Sequence, residues 1–132
     1  MSPLPGAAGP GERPTGFRDP PPGPEVAWDH AEAALALVSG KWVLSVLQAL
    51  QAGPLRHNQL HRRVGGTVSA RSLDGTLRRM EGTGLVDRRV HPGTPPAVSY
   101  ELTALARSLI TGPLALLGRW HAARQRAGDP AA

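Results

Sequence analysis

The chain has 132 residues, enough for one domain with its own core but short for two. It contains no cysteine, which excludes disulfides, thiolate zinc sites and sensing through a thiol. The formal net charge is +5, and the excess lies in residues 56–91, where eight arginines stand against three acidic residues. Such a segment favours a polyanionic partner; the alternative is a solvated basic face that only keeps the protein soluble.

The ends of the chain differ in composition from its middle. Repeated prolines and few apolar residues predict a disordered Pro/Gly-rich tail at residues 1–24, followed by a folded domain at 25–126 and a frayed C-terminus at 127–132. The tail lacks the basic and apolar regions of a signal peptide, and no stretch is apolar enough to cross a bilayer. We therefore expect a cytoplasmic protein without a membrane partner.

Two helices are predicted first. Asp29, with Glu32 three positions on, has the pattern of a capping box, and the first helix should end near Ser39, before Gly40. A second helix should bury one apolar face and stop at Gly53-Pro54. That face comprises Trp42, Val43, Val46, Leu47 and Leu50.

The next two helices are short and closely spaced. One is expected at residues 58–64, followed by a turn at 65–67 and a longer helix that Ser69 can cap. In the longer helix Leu73, Leu77 and Met80 should point inward. Its outward face would then carry Arg71, Ser72, Gly75, Arg78 and Arg79.

A hairpin and a last helix complete the pattern. Residues 85–91 and 97–103 alternate between apolar and polar side chains, which predicts two strands joined by a stiff, proline-rich tip. Thr103 can cap the final helix, which should kink or break at Gly112-Pro113.

This order of elements predicts an α+β fold, mainly α: a winged helix-turn-helix with a two-stranded wing. The second helix of such a motif enters the major groove of double-stranded DNA, where arginine can pair with guanine. We expect the base-reading residues among Ser69, Arg71, Ser72, Gly75 and Arg78. The protein would then be a DNA-binding transcriptional regulator associated with the nucleoid.

Other polar residues near this helix are expected to contact phosphates or to lie on the wing, which gives affinity without sequence preference. The alternative for each is an ordinary polar surface position. These candidates are Arg56, His57, Arg62, Arg63, Arg79, Arg88, Arg89 and His91.

The sequence resembles the HxlR-type regulators, a branch of the MarR-like winged-helix proteins, over about residues 31–120. The resemblance rests on a combination of short motifs, none of which is specific alone. They are Gly40-Lys41-Trp42; Gly53-Pro54-Leu55-Arg56 with Leu60; Val68-Ser69 with Leu73 and Leu77; Gly84-Leu85-Val86 with Arg88; and the run from Pro95-Pro96 to Thr103.

The resemblance implies a homodimer that binds an inverted-repeat operator, as a repressor or an activator, with repression the expected role. It also implies that the first and last helices form the dimer interface; the alternative is that these residues cover their own core. The interface candidates are Leu35, Leu109, Leu116, Leu117 and Trp120.

The chain departs from the family pattern in three places. The thiol that often precedes the first helix is missing, Asp74-Gly75-Thr76 replaces the usual Thr-Gln-Arg, and His57 replaces an aromatic residue. The operator therefore cannot be taken from relatives.

The sequence offers two further candidate sites. A small aromatic effector could bind between the dimerising helices among Trp28, Trp42 and Trp120, although tryptophans are more often core residues. His57 and His61 have the spacing of two metal ligands, but nothing completes the set, and we expect no metal and no cofactor.

An enzyme is not expected either, since the chain has no phosphate loop, nucleophile elbow or paired carboxylates. The alternative function is a protein-binding winged helix that does not bind DNA specifically.

Overall fold

A computed structural model describes residues 17–21 and 23–128. Most of the predicted tail, residues 1–16 and 22, and the end of the predicted frayed terminus, residues 129–132, lie outside the described residues. The α-helices are α1 Trp28–Ser39, α2 Val43–Leu50, α3 His57–Val64, α4 Ala70–Gly82, α5 Ala104–Leu109 and α6 Ala115–Gly128. The strands are β1 Leu55–Arg56, β2 Val86–His91 and β3 Ala97–Leu102.

The first helix begins differently from the prediction. Its N-cap is Ala27, which makes no side-chain cap, so the predicted capping box of Asp29 and Glu32 is wrong. Asp29 already lies inside the first turn of α1, where a carboxylate interacts favourably with the helix dipole instead.

The core lies where α2, α3, α4 and the strands meet. As predicted, Val43, Val46, Leu47 and Leu50 of α2 are buried. Trp42 departs from that prediction because it precedes α2 as a half-buried N-cap residue in the left-handed region, with φ 71°.

The two helices of the predicted DNA-binding motif are joined by a tight turn. Gly65 ends α3 with φ 119°, a conformation that side chains with a Cβ rarely adopt. Ser69 then caps α4 as predicted, because its hydroxyl accepts a hydrogen bond from the Ser72 amide. Leu73, Leu77 and Met80 are buried, which confirms the inward face of α4.

The sheet has three antiparallel strands in the order β1-β3-β2. Strands β2 and β3 form the predicted two-stranded wing, and β1 is a third strand that the sequence did not predict. The additional strand, β1, contributes two residues, with Leu55 opposite Tyr100 and Arg56 opposite Ser99. It joins the start of α3 to the centre of the sheet. The β2–β3 hairpin was predicted correctly, and its register places Val86 opposite Leu102.

The end of the chain is interrupted at the predicted place. Thr103 caps α5 by accepting from the Ala106 amide, and its hydroxyl donates to the Gly84 carbonyl, which ties α5 to the end of α4. A π-helical turn, Ile110–Leu114, contains Pro113 and separates α5 from α6. Within the described residues, no single helix has both the length and the hydropathy to span a membrane; α1 and α2 pass that test only as a pair, bent by 73°.

Candidate nucleic-acid interface

The outward face of α4 carries the predicted base readers. Arg71, Ser72 and Arg78 are exposed, and Gly75 is half-buried. Ser69 is committed to capping, since its hydroxyl also donates to the Ser72 hydroxyl at 3.0 Å. Ser72 accepts that bond and keeps its own hydroxyl hydrogen to donate.

Two different edges flank this face. On one edge, Arg71, Gly75 and Arg79 follow one another at four-residue spacing and line a crevice with Lys41 and Trp42. On the other, Asp74, Arg78 and Glu81 line a second crevice together with Arg88 of the wing. The first edge is purely cationic, whereas the second mixes both signs.

The histidines of α3 are engaged with α4 and with the turn before it. His57 Nε2 lies 2.6 Å from an Asp74 carboxylate oxygen, and His61 Nε2 lies 2.7 Å from the Val68 carbonyl oxygen. The first contact holds α3 against α4, and the second holds it against the turn before α4. Over the described part of the chain, no group of three or more metal-ligating side chains is brought together.

The strand pleat separates the two wing arginines. Arg88 lies on the same face as Val86 and turns toward α4, while Arg89 lies on the opposite face and forms an ion pair with Glu101 of β3. His91 is also engaged, because its Nε2 lies 2.7 Å from the Ser99 hydroxyl. Of these three phosphate or wing candidates, Arg88 is the one that shares a crevice with α4.

The remaining phosphate candidates surround α3. Arg56, Arg62 and Arg63 are exposed, and the last two line a shallow crevice with Gln59 and Leu55. The Arg56 amide donates to the Gln59 side chain at 3.0 Å, which closes the first turn of α3. These arginines form a basic surface beside the turn rather than on α4 itself.

Most of the residues predicted for a subunit interface are exposed. Leu35, Leu116, Leu117 and Trp120 leave between 49% and 63% of their area open, whereas Leu109 is half-buried against the core. The tryptophans of the predicted effector pocket also differ in burial. Trp28 and Trp120 are exposed, and Trp42 packs against the core. The effector pocket stays a prediction.

Sequence reasoning missed two residues that join α4 to the segment before α2. Thr76 is fully buried in α4, and its hydroxyl donates to the Lys41 carbonyl at 3.2 Å. Thr76 lies three positions after Leu73 and four before Met80, and this helical spacing indicates a position on the buried face of α4. Lys41 was missed because it precedes its helix and contacts α4 only in the folded chain.

Comparisons with known proteins bear on the family and the fold of this chain. The family model described as HxlR-like helix-turn-helix matches residues 37–127. An uncharacterized HTH-type transcriptional regulator of Methanothermobacter thermautotrophicus is 40% identical over 79 residues, which are 60% of this chain and 60% of that protein. The match thus spans less than two thirds of that relative. A second uncharacterized HTH-type transcriptional regulator, YtcD of Bacillus subtilis, is 36% identical over 91 residues, which are 69% of this chain and 71% of that protein.

A solved structure extends the likeness to the fold. The crystal structure of a protein described as a MarR-family transcriptional regulator, from Enterococcus faecalis V583, superposes with a TM-score of 0.70 and 31% identity. The superposition covers 78% of this chain and 93% of that one. The winged helix-turn-helix architecture predicted from the sequence is therefore confirmed.

Proposed function

This chain belongs to the HxlR-like helix-turn-helix family of transcriptional regulators, and on that premise we propose that it binds specific double-stranded DNA through α4. Membership among regulators also confirms the prediction that the chain is not an enzyme.

The observation that carries the proposal is the exposed polar face of α4. On its inward side Leu73, Leu77 and Met80 are buried in the core, which holds the helix in place. The outward arginines therefore project from a fixed helix. A helix of this diameter fits the major groove, and a rigidly held arginine can make two parallel hydrogen bonds to guanine. Arg71, in the first turn, is our first candidate for base reading, with Ser72 beside it.

The phosphate contacts follow from the surroundings of α4. We assign them to Arg62 and Arg63 of α3, to Arg79, and to Arg88 of the wing, because these side chains are exposed beside the reading face. Arg89 contributes less, since Glu101 already neutralises its charge.

We further propose a homodimer that represses transcription from an inverted-repeat operator on the chromosome. Support comes from α1 and α6, which leave Leu35, Leu116 and Trp120 exposed although they are large and apolar. Two copies related by a twofold axis would present two α4 helices to two half-sites.

Selection from a randomised duplex library tests the proposal without knowledge of the operator. Purified protein should enrich one palindromic sequence over successive rounds, and an excess of random duplex should not displace the enriched DNA. Enrichment of nothing, with binding that random duplex removes completely, would show only electrostatic affinity. Failure to bind at low salt would favour a protein-docking winged helix.

A further inference from the structure

A cationic crevice lies between the start of α2 and the outward face of α4. Its volume is about 340 Å³, and its lining includes Lys41, Arg71 and Arg79. No acidic side chain is among the described residues that line it. Three cations facing one cleft without a counter-charge create a positive potential that attracts an anion.

Hydrogen bonds hold the two sides of the crevice at a fixed distance. The hydroxyl of Thr76, buried beneath the crevice, donates to the Lys41 carbonyl at 3.2 Å. The same hydroxyl accepts from the Arg79 guanidinium at 3.2 Å. The Lys41 backbone and the Arg79 side chain are therefore linked through one buried hydroxyl group.

The backbone before α2 is bent to present Lys41. Trp42 adopts φ 71° and ψ −2°, a left-handed conformation that residues other than glycine rarely adopt. Such strain concentrates at functional sites. Lys41 Nζ lies 5.5 Å from the centroid of the Trp42 ring, close enough for a cation–π interaction that restricts the side chain.

Gly75 leaves the floor of the crevice open. It lies between Arg71 and Arg79 along the same stripe of α4, and it has no side chain to fill the space. Glycine is unfavourable in a helix interior, so its presence there calls for a local reason. Room for a ligand in the crevice is such a reason.

We propose that this crevice binds one phosphate group of the DNA backbone, with Lys41 and Arg79 as its ligands. The proposal rests on the proposed function, because a helix in the major groove has a phosphate strand along each edge. The cationic edge of α4 would hold one strand through the crevice, which fixes how far α4 enters the groove. Lys41 thereby becomes a positioning residue for Arg71.

The composition of the chain makes the test unusually direct. Lys41 is the only lysine, so an amine-reactive acetylating reagent modifies only Lys41 and the N-terminal amine. Mass spectrometry of the two peptides then reports protection at Lys41 with the N-terminal amine as an internal control. The full-length protein is labelled alone, with the selected duplex, with random duplex, and with inorganic phosphate.

We expect both duplexes to slow acetylation of Lys41 but not of the N-terminal amine. Lys41→Gln should reduce the salt dependence of duplex binding by a slope of about 1, and Lys41→Arg should restore it. Arg126→Gln, which removes an equal charge from the exposed end of α6, should leave the slope unchanged.

The other outcomes separate the two proposals. Normal duplex binding with an unprotected Lys41 and an unchanged slope would overturn the crevice and leave the proposed function standing. Protection by inorganic phosphate but not by duplex would show a site for a free anion and overturn the assignment to DNA. If the wild-type protein binds no duplex, the proposed function itself fails.

Discussion

At the scale of single residues, the arginines of α4 differ in what surrounds them. Arg78 lines a crevice together with the carboxylates Asp74 and Glu81, whereas the described residues that line the crevice of Arg71 include no acidic side chain. Since discrimination between bases needs a guanidinium free to form a paired hydrogen bond, we expect Arg71 to read bases better than Arg78.

Replacing Arg71 with alanine should weaken binding to the selected operator by roughly 1 to 3 kcal/mol and relax the preference at one base position. Fluorescence anisotropy titrations with the operator and with a scrambled duplex measure both effects. Arg126→Ala serves as the control for the loss of one charge. Equal losses on the two duplexes would remove Arg71 from the base readers and leave it only a phosphate contact.

Asp74 should oppose DNA binding, because it places a carboxylate on the face that approaches the phosphates. Asp74→Asn keeps an oxygen near His57 Nε2 but removes the charge, so random duplex should bind up to about fivefold more tightly, a gain of at most about 1 kcal/mol. Glu32→Gln on α1 is the matched control. Weaker binding of Asp74→Asn to random duplex would instead show that the carboxylate helps the complex, for example by orienting His57.

The sequence predicts residue burial better than polar pairing. The inward face of α4 followed from spacing alone, because helical geometry places Leu73, Leu77 and Met80 on one side. The pair His57–Asp74 spans 17 positions and Arg89–Glu101 spans 12. Neither pair could be predicted, since each depends on how separate elements pack.

At the scale of elements, we expect Gly75 to lower the stability of α4 and to favour DNA binding. A Cβ at Gly75 would meet Arg79 Nη1 at 3.6 Å, an ordinary contact, so nothing in the fold requires glycine there. Gly75→Ala should therefore raise the free energy of unfolding by about 0.5 to 1 kcal/mol. Urea denaturation followed by circular dichroism measures this gain.

The same substitution should weaken duplex binding, because the new methyl group enters the crevice beside Arg79. Gly82→Ala, at the end of α4 with open space around it, should not change affinity. A Gly75→Ala protein that is less stable than the wild type would show that the fold, and not a ligand, requires glycine at position 75.

Element boundaries were predictable where one residue type decides them. Ser69 and Thr103 cap α4 and α5 as expected, because a side-chain oxygen satisfies a free amide of the first turn. Strand β1 was missed because two residues carry no readable alternation, and its pairing with β3 joins positions 55 and 100. Asp29 and Glu32 matched a capping pattern, but α1 starts two residues too early for Asp29 to serve as the N-cap.

At the scale of the whole molecule, the exposed apolar side chains of α6 test the proposed dimer. Leu116→Arg should yield a folded monomer, because a buried, unpaired guanidinium is costly at a subunit interface. Sedimentation equilibrium gives the mass. Val90→Arg is the control, since Val90 is an exposed apolar residue of the wing, at 54% against 63% for Leu116. An unchanged dimer in Leu116→Arg would place the interface elsewhere.

The proposed domain boundaries predict that residues 1–24 are dispensable for folding. The described residues 23–27 contain no helix or strand, and α1 begins only at Trp28. A chain lacking residues 1–24 should unfold at an unchanged Tm and sediment with the same oligomeric state as the full chain. A fall in Tm of several degrees, about 1 kcal/mol for a domain of this size, would show that the segment packs against the domain.

The measurement that tests the central claim most directly is dimethyl sulfate protection of the selected duplex, because the reagent methylates guanine N7 in the major groove. If α4 reads the groove in each subunit, the wild-type protein should protect guanines in two half-sites about one helical turn apart. Arg71→Ala should lose protection at one guanine in each half-site and keep it elsewhere. A complex that forms without changing N7 methylation at any guanine would contradict recognition through α4.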